Sequence, residues 1–110
     1  MSYSFKVEDD ILIVTVEDAR ATVEFSGTLK KDLLDRIEEN NNVIFDLSKT
    51  EFVDSSFLGT LVAGLKKCTM KNGDLKIVGL QDPVSSMFEL TRLYKIFDIF
   101  ESMDDAIKAF

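Results

Sequence analysis

Two rhythms of apolar residues run along this chain, one of period two or unbroken, the other close to 3.6. Tyr3, Phe5 and Val7 alternate with polar residues, Glu8-Asp9-Asp10 makes a polar turn, and Ile11–Val16 is rich in β-branched side chains. That pattern predicts an N-terminal hairpin. Phe25, Leu29, Leu33 and Ile37 then recur every four positions, with Leu34 beside them, until Asn40-Asn41-Asn42 stops the pattern. The spacing predicts an amphipathic helix. Residues 43–47 (Val-Ile-Phe-Asp-Leu) form a short apolar run, as in a strand covered on both faces.

After a turn over residues 49–52, Leu58, Leu61, Val62, Leu65 and Cys68 fall on one face of a second helix, ended by Asn72-Gly73 as a left-handed cap. Residues 75–80 read as a further strand. Asp82-Pro83 reads as an N-cap followed by proline at the first helical position, and Val84, Met87, Phe88 and Thr91 can share one side of that helix. A last short strand is expected over residues 96–100. Ser102 with Asp105 resembles a capping box, opening a terminal helix through Ala106, Ile107 and Phe110. The aromatic-rich stripe Phe88, Leu90, Leu93, Tyr94, Phe97 and Phe100 reads as core and sheet edge.

The predicted order is β-β-α-β-α-β-α-β-α. It implies an α/β single domain over residues 1–110, with a mostly parallel mixed sheet, right-handed crossovers and an antiparallel N-terminal hairpin. Functional sites in such sheets gather at the carboxyl ends of the strands, and the loop after Leu47 is one of those ends.

Composition narrows the function. The 110 residues carry a formal net charge of -7, which repels phosphate backbones and anionic lipid, so neither nucleic acid nor a membrane surface is expected as partner. Lys30-Lys31 and Lys66-Lys67 read as solvated helix faces. Histidine is absent, which removes the Ser-His-Asp and Cys-His relays and the usual zinc constellations. The single cysteine, Cys68, excludes an intrachain disulfide and reads as a buried thiol. Asp9-Asp10 and Asp104-Asp105 sit where acids are ordinary, at a turn and a helix start. No Gly-Lys-Ser/Thr phosphate loop is present. The expectation is a protein without enzymatic activity, cofactor or metal. No apolar run reaches membrane-spanning length, and the first residues lack the apolar core of a secretory signal, so the expected location is cytoplasmic.

The most informative stretch is Phe52-Val53-Asp54-Ser55-Ser56-Phe57-Leu58-Gly59. It sets two hydroxyls directly after an acid, where strand gives way to helix. First-turn N–H groups lack intrahelical acceptors and the macrodipole there is positive. Asp54, Ser55 or Ser56 can therefore cap the helix, or a serine there can carry a phosphate that those N–H groups stabilise. Residue spacing leaves both readings open.

Asp46-Leu47-Ser48, Phe52-Val53-Asp54-Ser55-Ser56 and Leu58-Gly59, in this order and spacing, resemble the STAS domain of anti-sigma factor antagonists over nearly the whole chain. The resemblance implies a switch. The unphosphorylated form binds an anti-sigma factor that is also a serine kinase, so regulating transcription; phosphorylation breaks the complex, and a phosphatase resets it. Ser55 matches the phosphoacceptor, with Ser56 as the fallback, and Asp54 the neighbouring acid. The docking surface implied is Asp54, Ser55 and Ser56 with the helix stripe Phe57, Thr60, Gly64 and Lys67. Phe57 replaces a common glycine and reads either as a docking residue or as core margin. Gly59 matches a motif glycine, read as close packing of the helix start. Thr22 stands where many relatives have an aspartate. The resemblance also admits a non-catalytic STAS subunit of a lipid ABC transporter or of a stress-sensing scaffold.

Overall fold

The structure, a computed structural model, describes residues 2–110, the side chain of Phe25 excepted. The first helix's expected stripe therefore has one member, Phe25, outside the described side chains. Strands β1 (Tyr3–Glu8) and β2 (Ile11–Val16) form the hairpin. Asp9 and Asp10 both take positive φ, 53° and 63°, the pair of left-handed residues that a two-residue turn of this twist needs. The chain continues through β3 (Arg20–Ala21), α1 (Val23–Ile37), β4 (Asn42–Asp46), β5 (Phe52–Val53), α2 (Ser55–Met70), β6 (Asp74–Val78) and α3 (Asp82–Leu90). A 3-10 turn (Leu93–Lys95), β7 (Ile99–Phe100) and α4 (Met103–Lys108) complete it.

The main sheet has the order β1-β2-β4-β6-β7, with β1 antiparallel to β2 and every other pair parallel. Alternation along the central strands sorts side chains to two faces. Leu12, Val14, Val16, Val43, Phe45, Leu75 and Ile77 join one core with Leu29 and Leu33 of α1, Leu58 and Leu61 of α2, and Val84 and Phe88 of α3. Ile11, Ile13, Ile44 and Val78 face the other way, beneath Ala106 of α4. Burying each such aliphatic side chain is worth about 1.5–3 kcal/mol, so the sandwich of helices and sheet is the dominant stabilising term.

Helices α1 and α2 lie against each other on the first face. Gly64 of α2 sits tightly between α1 and the sheet: a Cβ there would lie 2.8 Å from Leu33 Cδ2 and 2.9 Å from Leu75 Cδ1. Phe57 is fully buried and meets Phe45 edge to face at 6.4 Å. Cys68 is fully buried too, and burial, reinforced by the charge of Asp74, pushes its thiol up to about 12. On the second face Lys76 is only 4% exposed; burial pulls its pKa down, yet hydrogen bonds to Asp74 (2.9 Å) and Asp98 (3.0 Å) outweigh that and hold it charged.

Several local expectations change. A two-stranded parallel ribbon of β3 and β5 precedes the helices α1 and α2, in place of plain connections. The last strand is confined to Ile99–Phe100, because Phe97 turns inward to pack on Phe88 at 5.9 Å. Gln81, not Asp82, is the N-cap of α3, which puts Pro83 one position further in. Leu90 and Tyr94 of the aromatic-rich stripe are exposed, at 80% and 48%. The left-handed residue after α2 is Asn72 (φ 65°), while Gly73 is required by proximity: a Cβ there would lie 1.8 Å from the carbonyl oxygen of Asn41.

Candidate functional site

The short ribbon brings the starts of α1 and α2 side by side. Ala21 pairs with Val53, so the residues that follow, Thr22 and Asp54, open the two helices together. Asp54 is the N-cap of α2, its Oδ1 accepting from Phe57 N at 2.9 Å. Its Oδ2 accepts from Val23 N, the first residue of α1, at 2.8 Å. One carboxylate thus caps two helices. Thr22, at the N-cap of α1, makes no side-chain cap bond, because Asp54 supplies it from across the ribbon.

The Asp46-Leu47-Ser48 segment shapes the neighbouring loop. Asp46 Oδ1 accepts from Ser48 N at 3.0 Å, Leu47 is buried, and Thr50, also buried, donates to the carbonyl of Asp18 at 3.2 Å. Gly79 takes φ 79° beside Ser48, where a Cβ would come within 2.9 Å of the Ser48 side chain.

The two adjacent serines have different surroundings. Ser55 is the first residue of α2, exposed, and its hydroxyl has no partner among the described residues. Ser56 is half-buried, its Oγ 2.8 Å from Ser26 Oγ of α1. Thr60 Oγ1 bridges the same seam, 3.3 Å from the carbonyl oxygens of both Ser26 and Ser56. Along this seam runs a shallow cleft of about 310 Å³, lined by Gly27, Lys30, Ser55 and Gly59 among others. Gly27 and Gly59 are each the fifth residue of their helix, and a Cβ on either would meet nothing within 4 Å. Close packing is therefore not the reason for Gly59. Arg20 stacks on the 40%-exposed Phe52 ring at 4.4 Å, forming the rim beside the ribbon.

The helix stripe expected to extend the docking surface needs correction. Phe57 and Thr60 are 0% and 3% exposed, and Gly64 is buried beneath Leu33 and Leu75. The cause is α1, which covers this face of α2. Lys67 is half-exposed and engaged: Nζ donates to the Leu34 carbonyl at 2.6 Å and to Glu38 at 2.7 Å. Hydrogen bonds from Lys67, then Lys71, hold the Glu38 carboxyl below its usual range. Sequence reasoning missed Ser26, Gly27 and Lys30 of α1; the repeated glycine at the fifth helical position was the available signal. Among the described residues no group of three or more acidic or cysteine side chains could hold a metal ion, and no helix is long and apolar enough to cross a membrane.

A family model for the STAS domain matches residues 2–106. The chain belongs to the STAS domain family. A Thermotoga maritima protein named as a candidate anti-sigma factor antagonist is 26% identical over 96% of this STAS domain and 95% of its own length. A crystal structure of a Thermotoga maritima protein with that description superposes with a TM-score of 0.88 at 25% identity, covering 97% of this chain and 92% of that one. The anti-sigma-B factor antagonist of Listeria monocytogenes is 30% identical over 58% of this STAS domain and 56% of its own length. Bacillus SpoIIAA, solved in a phosphorylated form, shares the fold, with a TM-score of 0.78 at 12% identity and 98% coverage of each chain.

Proposed function

We propose that this STAS domain is a phosphorylation-controlled protein-binding switch, an anti-sigma factor antagonist whose partner is an anti-sigma factor with serine kinase activity, and that Ser55 carries the phosphate. One observation carries the choice of serine: Ser55 is exposed with an unengaged hydroxyl, while Ser56 is tied to Ser26 across the helix seam. The names of the relatives support the class of partner.

The chemistry is simple. A phosphate adds about -1.5 to -2 charges at neutral pH. At the first residue of α2 the chain itself tolerates that charge, because the helix start presents N–H groups and a positive dipole end. A partner docked over the same point must desolvate or repel it. Differential affinity of about 1.4 kcal/mol then gives tenfold switching. The contact surface is the rim of the cleft, Ser55 with Gly27, Lys30 and Gly59, and excludes the buried Phe57, Thr60 and Gly64. Asp54 acts by holding that rim in place, and a phosphatase would reset the switch.

The test is a pull-down from the native host with wild type, Ser55→Ala and Ser55→Asp, read by mass spectrometry with phosphosite mapping. A kinase-like partner retained by wild type and Ser55→Ala, lost with Ser55→Asp, and phosphate found on Ser55 are the expected results. Phosphate found only elsewhere, or equal capture by all three proteins, would overturn the reading.

A further inference from the structure

At the end of α2 far from Ser55, the helix turns a second apolar edge outward. Val62, Leu65, Thr69 and Met70, with the stem of Lys66, line an open groove of about 460 Å³, and Ile96 forms its other wall. Met70 is 83% exposed and Ile96 50%. Single exposed apolar residues are ordinary, whereas here Met70 and Ile96 adjoin the half-buried Val62 and Leu65 around one concavity. The wall residues lie at helical spacing on α2 and continue the edge of the main core, against which Val62 and Leu65 pack.

Charge selects the occupant. Lys66 lines the groove, Lys95 adjoins Ile96 in the chain, and Arg92 precedes it by four residues, at a left-handed turn (φ 62°). None of the three has a carboxylate partner among the described residues, although Lys67 and Lys71 close by are taken by Glu38. On a chain of net charge -7, an unpaired Lys66 on the wall of a carbon-lined groove, with Lys95 next to Ile96 of the other wall in the chain, asks for carboxylates from outside. A two-fold contact between copies would bring the same cations face to face. An anionic membrane, unlike a short helix confined to the groove, would face the net negative charge of the whole molecule.

We propose that this groove docks an acidic amphipathic helix of a protein partner. The α2 wall from Val62 to Met70 is about 12 Å long, two helical turns. The matching helix presents apolar residues at i, i+3 or i+4, and i+7, with glutamates or aspartates on its flanks toward Lys66 and Lys95. This surface lies away from Ser55 and operates whatever the phosphorylation state.

The probe is a synthetic helical peptide of about three turns, with leucines at that spacing and glutamates between them, titrated into the isotope-labelled full chain by NMR. A second peptide has lysine at every glutamate. The acidic peptide is expected to shift the amides of Val62, Leu65, Met70 and Ile96 while leaving Ser55 unmoved. Met70→Glu and Ile96→Glu, both at exposed positions that leave the core intact, are expected to weaken it about tenfold or more, and Lys66→Glu likewise. No shifts at millimolar peptide, or equal shifts with the lysine peptide, would overturn the proposal. So would self-association through this groove in sedimentation, or flotation of the chain with phosphatidylglycerol vesicles.

Discussion

Ser55 and Ser56 show how far one residue's surroundings separate it from its neighbour. They share a side chain and a helix turn, yet only Ser56 is spent on the seam with α1. Their sequence alone leaves the choice open, because the distinction depends on Ser26, thirty positions away. Phe57 is the opposite case. A large apolar residue beside a charged loop reads equally as contact or core, and its place is decided by the core it enters, where it is fully buried against Phe45. Gly59 gives a residue-scale prediction. A Cβ there meets open space, and alanine in a helix interior is favoured over glycine by about 1 kcal/mol. Gly59→Ala should raise the urea midpoint by a matching amount. If the cleft is the docking surface, the same variant loses partner affinity in a binding titration while its stability rises.

At the scale of elements, the crossover helices were legible from their 3.6-residue apolar spacing, the central strands from their unbroken apolar runs, and the hairpin from alternation about a polar turn. The ribbon of β3 and β5 was not legible, since two-residue strands carry no periodicity. Its consequence is large: it aligns the two helix starts so that Asp54 serves both. Losing an N-cap costs about 0.5–2 kcal/mol. Asp54→Ala removes two, so about 2 kcal/mol or more should disappear in chemical denaturation. Asp54→Asn should recover only part of this, because its amide nitrogen is a donor and cannot accept from the second N–H. Amide exchange should then quicken in the first turns of both α1 and α2 rather than in α2 alone.

For the whole molecule, the charged groups lie mostly at the surface and the titration of interest is alkaline. Burial, aided by the hydrogen bond to Asp32, pushes the Tyr3 phenol from 10.0 up to about 12. Cys68 moves from 9.0 to about 12, chiefly through burial. In both cases the fold favours the protonated form. Their stabilisation is complete below the unfolded values and is lost as pH rises from about 9 through about 12. Urea midpoints should therefore fall across that window, and less steeply in Tyr3→Phe and Cys68→Ala. Native Cys68 should also resist iodoacetamide at neutral pH until urea unfolds the chain. The thiol's burial was readable from its place on the apolar stripe of α2; the ion pairs around Lys76 were not, because an alternating lysine in a strand reads as solvent-facing.

The shared carboxylate of Asp54 has one more effect. Two helix mouths pinned by a single side chain form a stiff lip in place of two fraying ends. A visitor settling on that lip has little loose chain to immobilise, so less conformational entropy is surrendered on arrival and a modest contact area suffices for useful affinity.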